Sequence, residues 1–291
     1  MVIVMKIKTP AKINLALDVC GILENGYHSI KSVFQTVGLY DDVSVELNDS
    51  GEINVSCILP EEFAQADPVP DGEKNIAFKA ARLFLDTIKS DKGCDIVINK
   101  GIPSQAGMGG GSTDAAAVIS CLNELTGAGL DIPALEAVGK KIGADVPFFF
   151  TGGTAYVSGI GEEIIPLPDY SGRILVIAKG VQGVSTAQAY KAVDGLEAPV
   201  HPDAEKLAEI IRNDPDNAYH YFGNLFEDAI DLDEVSQIKN TMKSMGALSP
   251  VMTGSGSAVF GLFNDNNTAQ KCCENLSEKG FFAKVCLTTA H

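Results

Sequence analysis

Positive charge is what this chain has least of. Its 22 lysines and arginines stand against 38 aspartates and glutamates, a formal net charge of -16. A nucleic acid partner needs a basic surface to displace its counterions, so the composition argues against one. A small anionic substrate, held by a few local cations and backbone N–H groups, is not excluded. The seven cysteines (Cys20, Cys57, Cys94, Cys121, Cys272, Cys273, Cys286) form no C-x-x-C pair, and there are only four histidines. Neither a zinc site nor a disulfide framework is therefore expected, and an odd number of thiols in apolar runs fits a reducing cytoplasm. No run of about 18 apolar residues occurs, and the start, MVIVMKIKTPAK, breaks its apolar stretch at Lys6, too soon for a signal-peptide core. The expectation is a cytoplasmic protein that binds neither membrane nor nucleic acid, as a monomer or weak homodimer.

What is present is the material of a folded α+β protein. At 291 residues, 45% hydrophobic and 21% charged, the chain is long enough for two domains with cores of their own. Short β-branched or alternating stretches predict strands over residues 2–7, 13–19, 32–39, 43–47 and 53–58. Asn75 is placed to cap a helix beginning at Ile76, and a strand over 94–99 delivers the chain into a glycine-rich loop. A helix from Ser112 or Thr113 ends at Gly127, and another covers 133–142. Strands follow at 154–157, 163–166 and 173–178. The remainder alternates four helical patterns (VSTAQAYKAV, HPDAEKLAEIIRN, DLDEVSQIKNTMKSM, TAQKCCENLSEKG) with strands at 250–252, 258–263 and 283–287, the pattern of an α+β sandwich. A boundary near residues 160–170 divides the chain into domains 1–165 and 166–291, and residues 61–74 read as an exposed loop.

The glycine loop, IPSQAGMGGGSTDAAAVI over residues 102–119, carries the first hint of chemistry. Glycines let a backbone approach a ligand closely, and a helix start points N–H groups and a partial positive charge at one spot. Yet both familiar nucleotide signatures fail. Counted from Gly107, the Walker pattern requires a glycine and then a lysine where this chain has Ser112 and Thr113, and Gly107-Met108-Gly109 does not continue as G-x-G-x-x-G. Such a loop can exist only to pack a strand on a helix. Its length, the run Gly109 to Gly111, the hydroxyls Ser104, Ser112 and Thr113, and Asp114 in the first helical turn favour phosphate binding. A second cluster, TGSGSAVFGLF from Thr253, reads as a tight turn, and no G-x-S-x-G frames Ser255 or Ser257.

Several residues stand out against their surroundings. Lys12, in TPAKINLAL, and Asp145, in GADVPFFF, are charges in apolar stretches, costly to bury unless paired. Lys12 is either a strand-edge lysine with its head in solvent or the partner of Asp145, an arrangement that keeps a carboxylate ionised and ready to accept a hydroxyl proton. Tyr27 and His28 follow an Asn25-Gly26 hairpin turn, either as ordinary turn residues or as part of a site. Lys100 ends the strand before the loop, solvated or facing a phosphate. His201, His220 and His291 have no partner pattern and read as surface residues.

PAKINLAL, NGYH, IPSQAGMGGGSTDAAA, GADVPFF and TGSGSAVF, in this order from about residue 8 to 263, resemble the GHMP small-molecule kinases. The forms of the first two and of GADVPFF resemble the branch that phosphorylates the C2 hydroxyl of a cytidine-diphosphate-linked polyol in the non-mevalonate isoprenoid pathway. The resemblance implies a ribosomal-protein-S5-domain-2-like N-terminal half, a ferredoxin-like C-terminal half and an active site where they meet. It implies ATP as donor, with magnesium carried on it, and phosphates held by Ser104 and the backbone of Ala106, Gly107, Met108, Gly109, Gly110, Gly111, Ser112 and Thr113, so that no Walker lysine is needed. Lys12 and Asp145 fall on the catalytic pair, Asn14 on a substrate-positioning residue, Asn75 and Lys100 near the nucleotide, Tyr27 and His28 at the cytidine site and Tyr190 on a stacking aromatic. A GHMP kinase for another alcohol, such as homoserine or a mevalonate derivative, and a silent nucleotide-binding protein are the rival readings.

Overall fold

The computed structural model describes residues 3–63 and 69–290. Along the chain run β1 (Val4–Ile22), β2 (His28–Asn48), β3 (Ile53–Ile58), α1 (Ile76–Thr87), β4 (Gly93–Asn99), α2 (Gly110–Thr126), α3 (Ile132–Lys140), β5 (Thr154–Ser158), β6 (Glu163–Pro166) and β7 (Ile174–Lys179). They are followed by α4 (Thr186–Val193), α5 (Ala204–Asn213), β8 (Gly223–Asn224), α6 (Phe226–Ala229), α7 (Asp233–Ser244), β9 (Leu248–Met252), β10 (Val259–Phe263), α8 (Asn266–Glu278) and β11 (Phe282–Leu287). The residues group into two compact units, one of 1–11, 39–104 and 109–151, the other of 12–38, 105–108 and 152–291.

In the first unit β4 pairs antiparallel with the end of β2, Val43 opposite Ile98, and parallel with β3, Val55 opposite Ile96. Helices α1 and α2 pack together, and both bury alanines, Ala77, Ala80 and Ala81 in one and Ala115, Ala116 and Ala117 in the other, along with Phe84 and Ile119. Helix α1 starts where expected because the Asn75 side chain accepts from the Ala77 amide at 2.8 Å.

The second unit contains an antiparallel sheet in the order β11-β7-β10-β9, with Val176 opposite Gly261 and Val285. Helices α7 and α8 lie against it and contribute Ile238, Met242, Cys272 and Leu276 to a core with Val176, Ala178 and Val259. The beginning of β2 pairs with β5, and β8 pairs parallel with β1.

The expected elements are largely present, and the differences have local causes. The separate stretches expected over 2–19 and over 32–47 are single strands of 19 and 21 residues. Pro10 does not break the first, since its fixed φ suits extended chain; Asp41 does not break the second, for a reason the site supplies. Helix α2 begins at Gly110, ahead of Ser112, behind a left-handed Gly109 with φ of 72°. Strand β8, helix α6 and the 3₁₀ segments Pro147–Phe150 and Pro215–Tyr221 are too short or irregular for a period to reveal. Part of the expected 61–74 loop, residues 64–68, and His291 lie outside the described residues. Among the described residues no helix is long and apolar enough to cross a membrane.

Candidate active site

In the first unit the chain leaves β4, passes into the glycine loop and returns at the start of α2. The Thr113 amide donates to Gly109 O at 2.9 Å, so the preceding amides of Gly110, Gly111 and Ser112 are those that a helix start leaves without partners in its own ladder. Gly109, Gly110 and Ser112 are half-buried and Gly111 is exposed, which leaves these amides within reach of a ligand. Thr113 is turned the other way: it is fully buried, its carbonyl accepts from the Thr9 hydroxyl at 3.1 Å and its hydroxyl contacts the same hydroxyl. Its amide and hydroxyl are thus both engaged within the protein.

Lys100 is not solvated. Its side chain is 4% exposed and its ammonium is ion-paired with Asp41 and, at 2.7 Å, with Asp114. Asp41 also accepts from the Gly101 and Ile102 amides at 2.6 and 2.8 Å. Burial pushes the Asp114 carboxyl up to about 8; Lys100 opposes the rise and the neighbouring Asp41 charge adds to it. The two carboxylates keep the Lys100 ammonium raised against the opposing effect of its burial. Nearby, Asn75 spends its amide NH₂ on Pro70 O at 2.7 Å and the Cys57 sulfur at 3.3 Å. Its side chain is thus a helix cap before it is anything else. Asp145, half-buried, stands just ahead of the 3₁₀ turn Pro147–Phe150.

The second unit holds Lys12, whose side chain does not reach for solvent. The residue is 4% exposed, with its Nζ 2.8 Å from Asn14 Oδ1 and 4.4 Å from the centre of the Phe34 ring. Asn14 is a buried hub. Its Oδ1 also accepts from the Gly254 amide at 3.0 Å, its Nδ2 donates to Ser32 Oγ at 2.9 Å, and its own amide donates to Thr253 Oγ1 at 2.9 Å. Through these contacts Asn14 holds both Lys12 and the 253–254 turn.

That turn, read from its residues alone as a tight turn and otherwise only as one motif of the resemblance, has a structural partner in the glycine loop. Residues 105–108 of the glycine loop rest on it backbone to backbone. Ala258 N donates to Ala106 O at 3.2 Å, and a Cβ on Gly254, at φ +56°, would lie 2.6 Å from Gly107 O. Gly254→Ala is therefore expected to cost about 1–3 kcal/mol in urea unfolding, and an unchanged midpoint would show that the two segments are not locked.

Elsewhere in this unit the Asn25-Gly26 turn forms as expected, Tyr27 N donating to Asn25 Oδ1 at 3.0 Å and Gly26 adopting φ +83°. Tyr27 is 61% exposed. His28 stacks on Tyr190, ring centroids 4.5 Å apart and planes at 22°, and its Nε2 is 2.7 Å from Asp194 Oδ1. The expected cytidine residues His28 and Tyr190, far apart in sequence, are thus brought into one stack. His201, read as lacking a partner, binds Asp18 at 2.6 Å.

Asp41, Ser32 and Asp194 were missed, and Thr253 and Gly254 were read only as part of a glycine-rich motif. A signal existed for Asp41. Leu39, Val43 and Val45 alternate on one strand face, and Asp41 occupies the fourth position of that buried face.

Residues 75–153, which include the glycine loop, match the GHMP kinases N terminal domain, and residues 196–281 match GHMP kinases C terminal. The chain belongs to the GHMP kinases, a family of phosphotransferases. Among its relatives, proteins named 4-diphosphocytidyl-2-C-methyl-D-erythritol kinase are 42% identical over 279 residues in Clostridium botulinum, covering 94% of this chain and 96% of the relative, and 40% identical over 288 residues in Clostridium perfringens, covering 98% and 97%. A crystal structure of 4-(cytidine 5'-diphospho)-2C-methyl-D-erythritol kinase is 30% identical with a TM-score of 0.78, covering 99% of this chain and all of the other. The homoserine kinase of Cytophaga hutchinsonii, at 17% identity and a TM-score of 0.74 over 99% of this chain and 95% of its own, shares the fold.

Proposed function

We propose that the chain transfers the γ-phosphoryl group of ATP to the 2-hydroxyl of 4-diphosphocytidyl-2-C-methyl-D-erythritol, giving the 2-phosphate and ADP in the non-mevalonate isoprenoid pathway. The observation that carries this reading is similarity at about 40% identity, over nearly the whole chain, to kinases named for that substrate. Residues 1–165 and 166–291 serve as its N- and C-terminal domains. Cytoplasmic location and a monomer or weak dimer complete the reading; sedimentation checks the latter.

In the reaction the acceptor oxygen forms a bond to the γ-phosphorus as the bond to the β,γ-bridging oxygen breaks. ADP leaves with that electron pair, and the hydroxyl proton passes to Asp145. Lys12, held by Asn14, supplies positive charge to the acceptor region. Because phosphoryl transfer passes through a loose transition state, positioning and charge neutralisation supply most of the rate. The amides of Gly110, Gly111 and Ser112 at the start of α2, with the Ser104 and Ser112 hydroxyls, are suited to a phosphate tail. Ala106, Gly107, Met108 and Gly109 give the loop its curve, and Asn75 and Lys100 border the nucleotide. Magnesium carried on ATP would supply neutralisation of the phosphate charge, with the Ser104 and Ser112 hydroxyls as candidate ligands. Tyr27, His28 and Tyr190 offer flat faces to cytosine. Loss of a stacking partner costs about 1–3 kcal/mol per base, so Tyr190→Ala is expected to raise KM for the cytidine substrate about tenfold or more while KM for ATP holds.

The deciding experiment is mass spectrometry of the product formed from ATP and diphosphocytidyl-methylerythritol. A single phosphate added at the tertiary alcohol is expected. Turnover of homoserine or mevalonate in its place, or nucleotide binding with no phosphorylated product, overturns the reading.

A further inference from the structure

The first unit contains a charge cluster that the transfer itself does not use. Asp41 and Asp114 flank the Lys100 ammonium, and all three side chains are at most 4% exposed. The Cys57 thiol lies within electrostatic reach of Asp114 and Lys100. One oxygen of Asp114, Oδ1, is buried with no hydrogen-bond partner. As a device for stability alone this is a poor choice. Buried ion clusters are commonly no better than apolar residues of the same shape, and an orphaned carboxylate oxygen adds an uncompensated desolvation cost.

Its location gives it another use. Asp41 grips the amides of Gly101 and Ile102, the first residues of the loop after β4. Asp114 belongs to the second turn of α2, which begins at Gly110, and not to the first turn that a start at Ser112 or Thr113 implied; it lies beyond the loop's last glycine. Lys100 joins the two carboxylates, and its Nζ lies 3.5 Å from where a Cβ on Gly110 would stand. One buried cluster therefore holds the chain on both sides of the phosphate-binding amides.

We infer that Asp41, Lys100 and Asp114 are positioning residues for the nucleotide: together they fix the direction of the Gly110, Gly111 and Ser112 amides, and the Lys100 side chain acts through the two carboxylates. The inference rests on the ATP reading of this loop. It predicts an effect confined to one of the two substrates, which a purely structural cluster would not produce.

The test compares Asp114→Leu, which removes the acceptor at similar bulk, Asp114→Asn, which keeps one, and Lys100→Arg, whose planar fork cannot replace a point charge between two carboxylates without displacing them. ATP binding is measured by calorimetry, both KM values by steady-state kinetics, and folding by thermal melting. Small misplacements of positioning groups can cost as much as about a hundredfold. Asp114→Leu and Lys100→Arg are each expected to weaken ATP binding about tenfold or more, with KM for the polyol substrate unchanged, and Asp114→Asn to restore most of the loss. Unchanged ATP affinity in folded Lys100→Arg, or ATP and polyol constants worsening in parallel in step with lost folding, overturns the inference. An unaltered protein that binds no ATP removes the kinase reading and this inference together; one that binds ATP and makes the product, with variants that bind it equally well, removes the inference alone.

Discussion

Asp145→Asn is expected to lower kcat by about a hundredfold to ten-thousandfold, the range found when a positioned acid or base is lost, while the ATP dissociation constant changes little. The substitution keeps the size of the side chain and removes its charge and its ability to take a proton. Each factor of ten corresponds to about 1.4 kcal/mol of transition-state stabilisation, so the loss is large against any plausible change in packing at a half-buried position. ATP is to be held by the loop amides and not by this carboxylate, which is why the two constants should separate. Rapid-quench measurement of the transfer step, paired with calorimetry of ATP binding, reads both. Full activity in the variant would remove Asp145 from the chemistry, and a parallel collapse of ATP binding would place it with the nucleotide instead.

Lys100→Met is expected to be the most damaging substitution for stability. It leaves Asp41 and Asp114 buried against one another with no cation, and breaking a buried ion cluster by removing one partner costs about 3–5 kcal/mol, a large share of what a domain has. The deficit should depend on pH. The folded Asp114 carboxyl is raised to about 8 from 3.8, so between those values the folded state holds a proton that the unfolded chain releases. Stability from this group therefore declines as pH rises toward 8. Lys100 pulls that carboxyl down, and its removal steepens the decline. Urea melts at pH 5.5 and pH 8 should show a smaller gap between variant and unaltered protein at the lower pH; a gap that is equal at both, or wider in acid, would contradict the charge argument.

Much of the architecture could be read from residue order because the signals were local. Asn75 ahead of an amphipathic run, Gly127 behind another, and alternating β-branched stretches each specify an element without help from the rest of the chain. The continuity of β1 and β2 was not legible, because Pro10 and Asp41 are breakers by composition and their tolerance depends on remote partners. For the site, residue types were visible and commitments were not. A buried lysine at position 12 was suspected from its apolar neighbours, yet its tie to Asn14, and through Asn14 to Ser32 and Gly254, joins segments that no periodicity connects. Thr113 looked like its neighbour Ser112 in a hydroxyl-rich run, but helical geometry turns adjacent residues about 100° apart, and one of them had to face Thr9.

The hub at Asn14 has a consequence for how this enzyme tolerates change. Since a single carboxamide serves both the lysine at position 12 and the turn at 253–254, drift in the C-terminal glycine segment is transmitted to the ammonium group. Substitutions there would surface as slowed turnover in an otherwise sound protein, and compensating changes should be sought at Ser32 or Asn14, on strands some two hundred residues earlier in the chain.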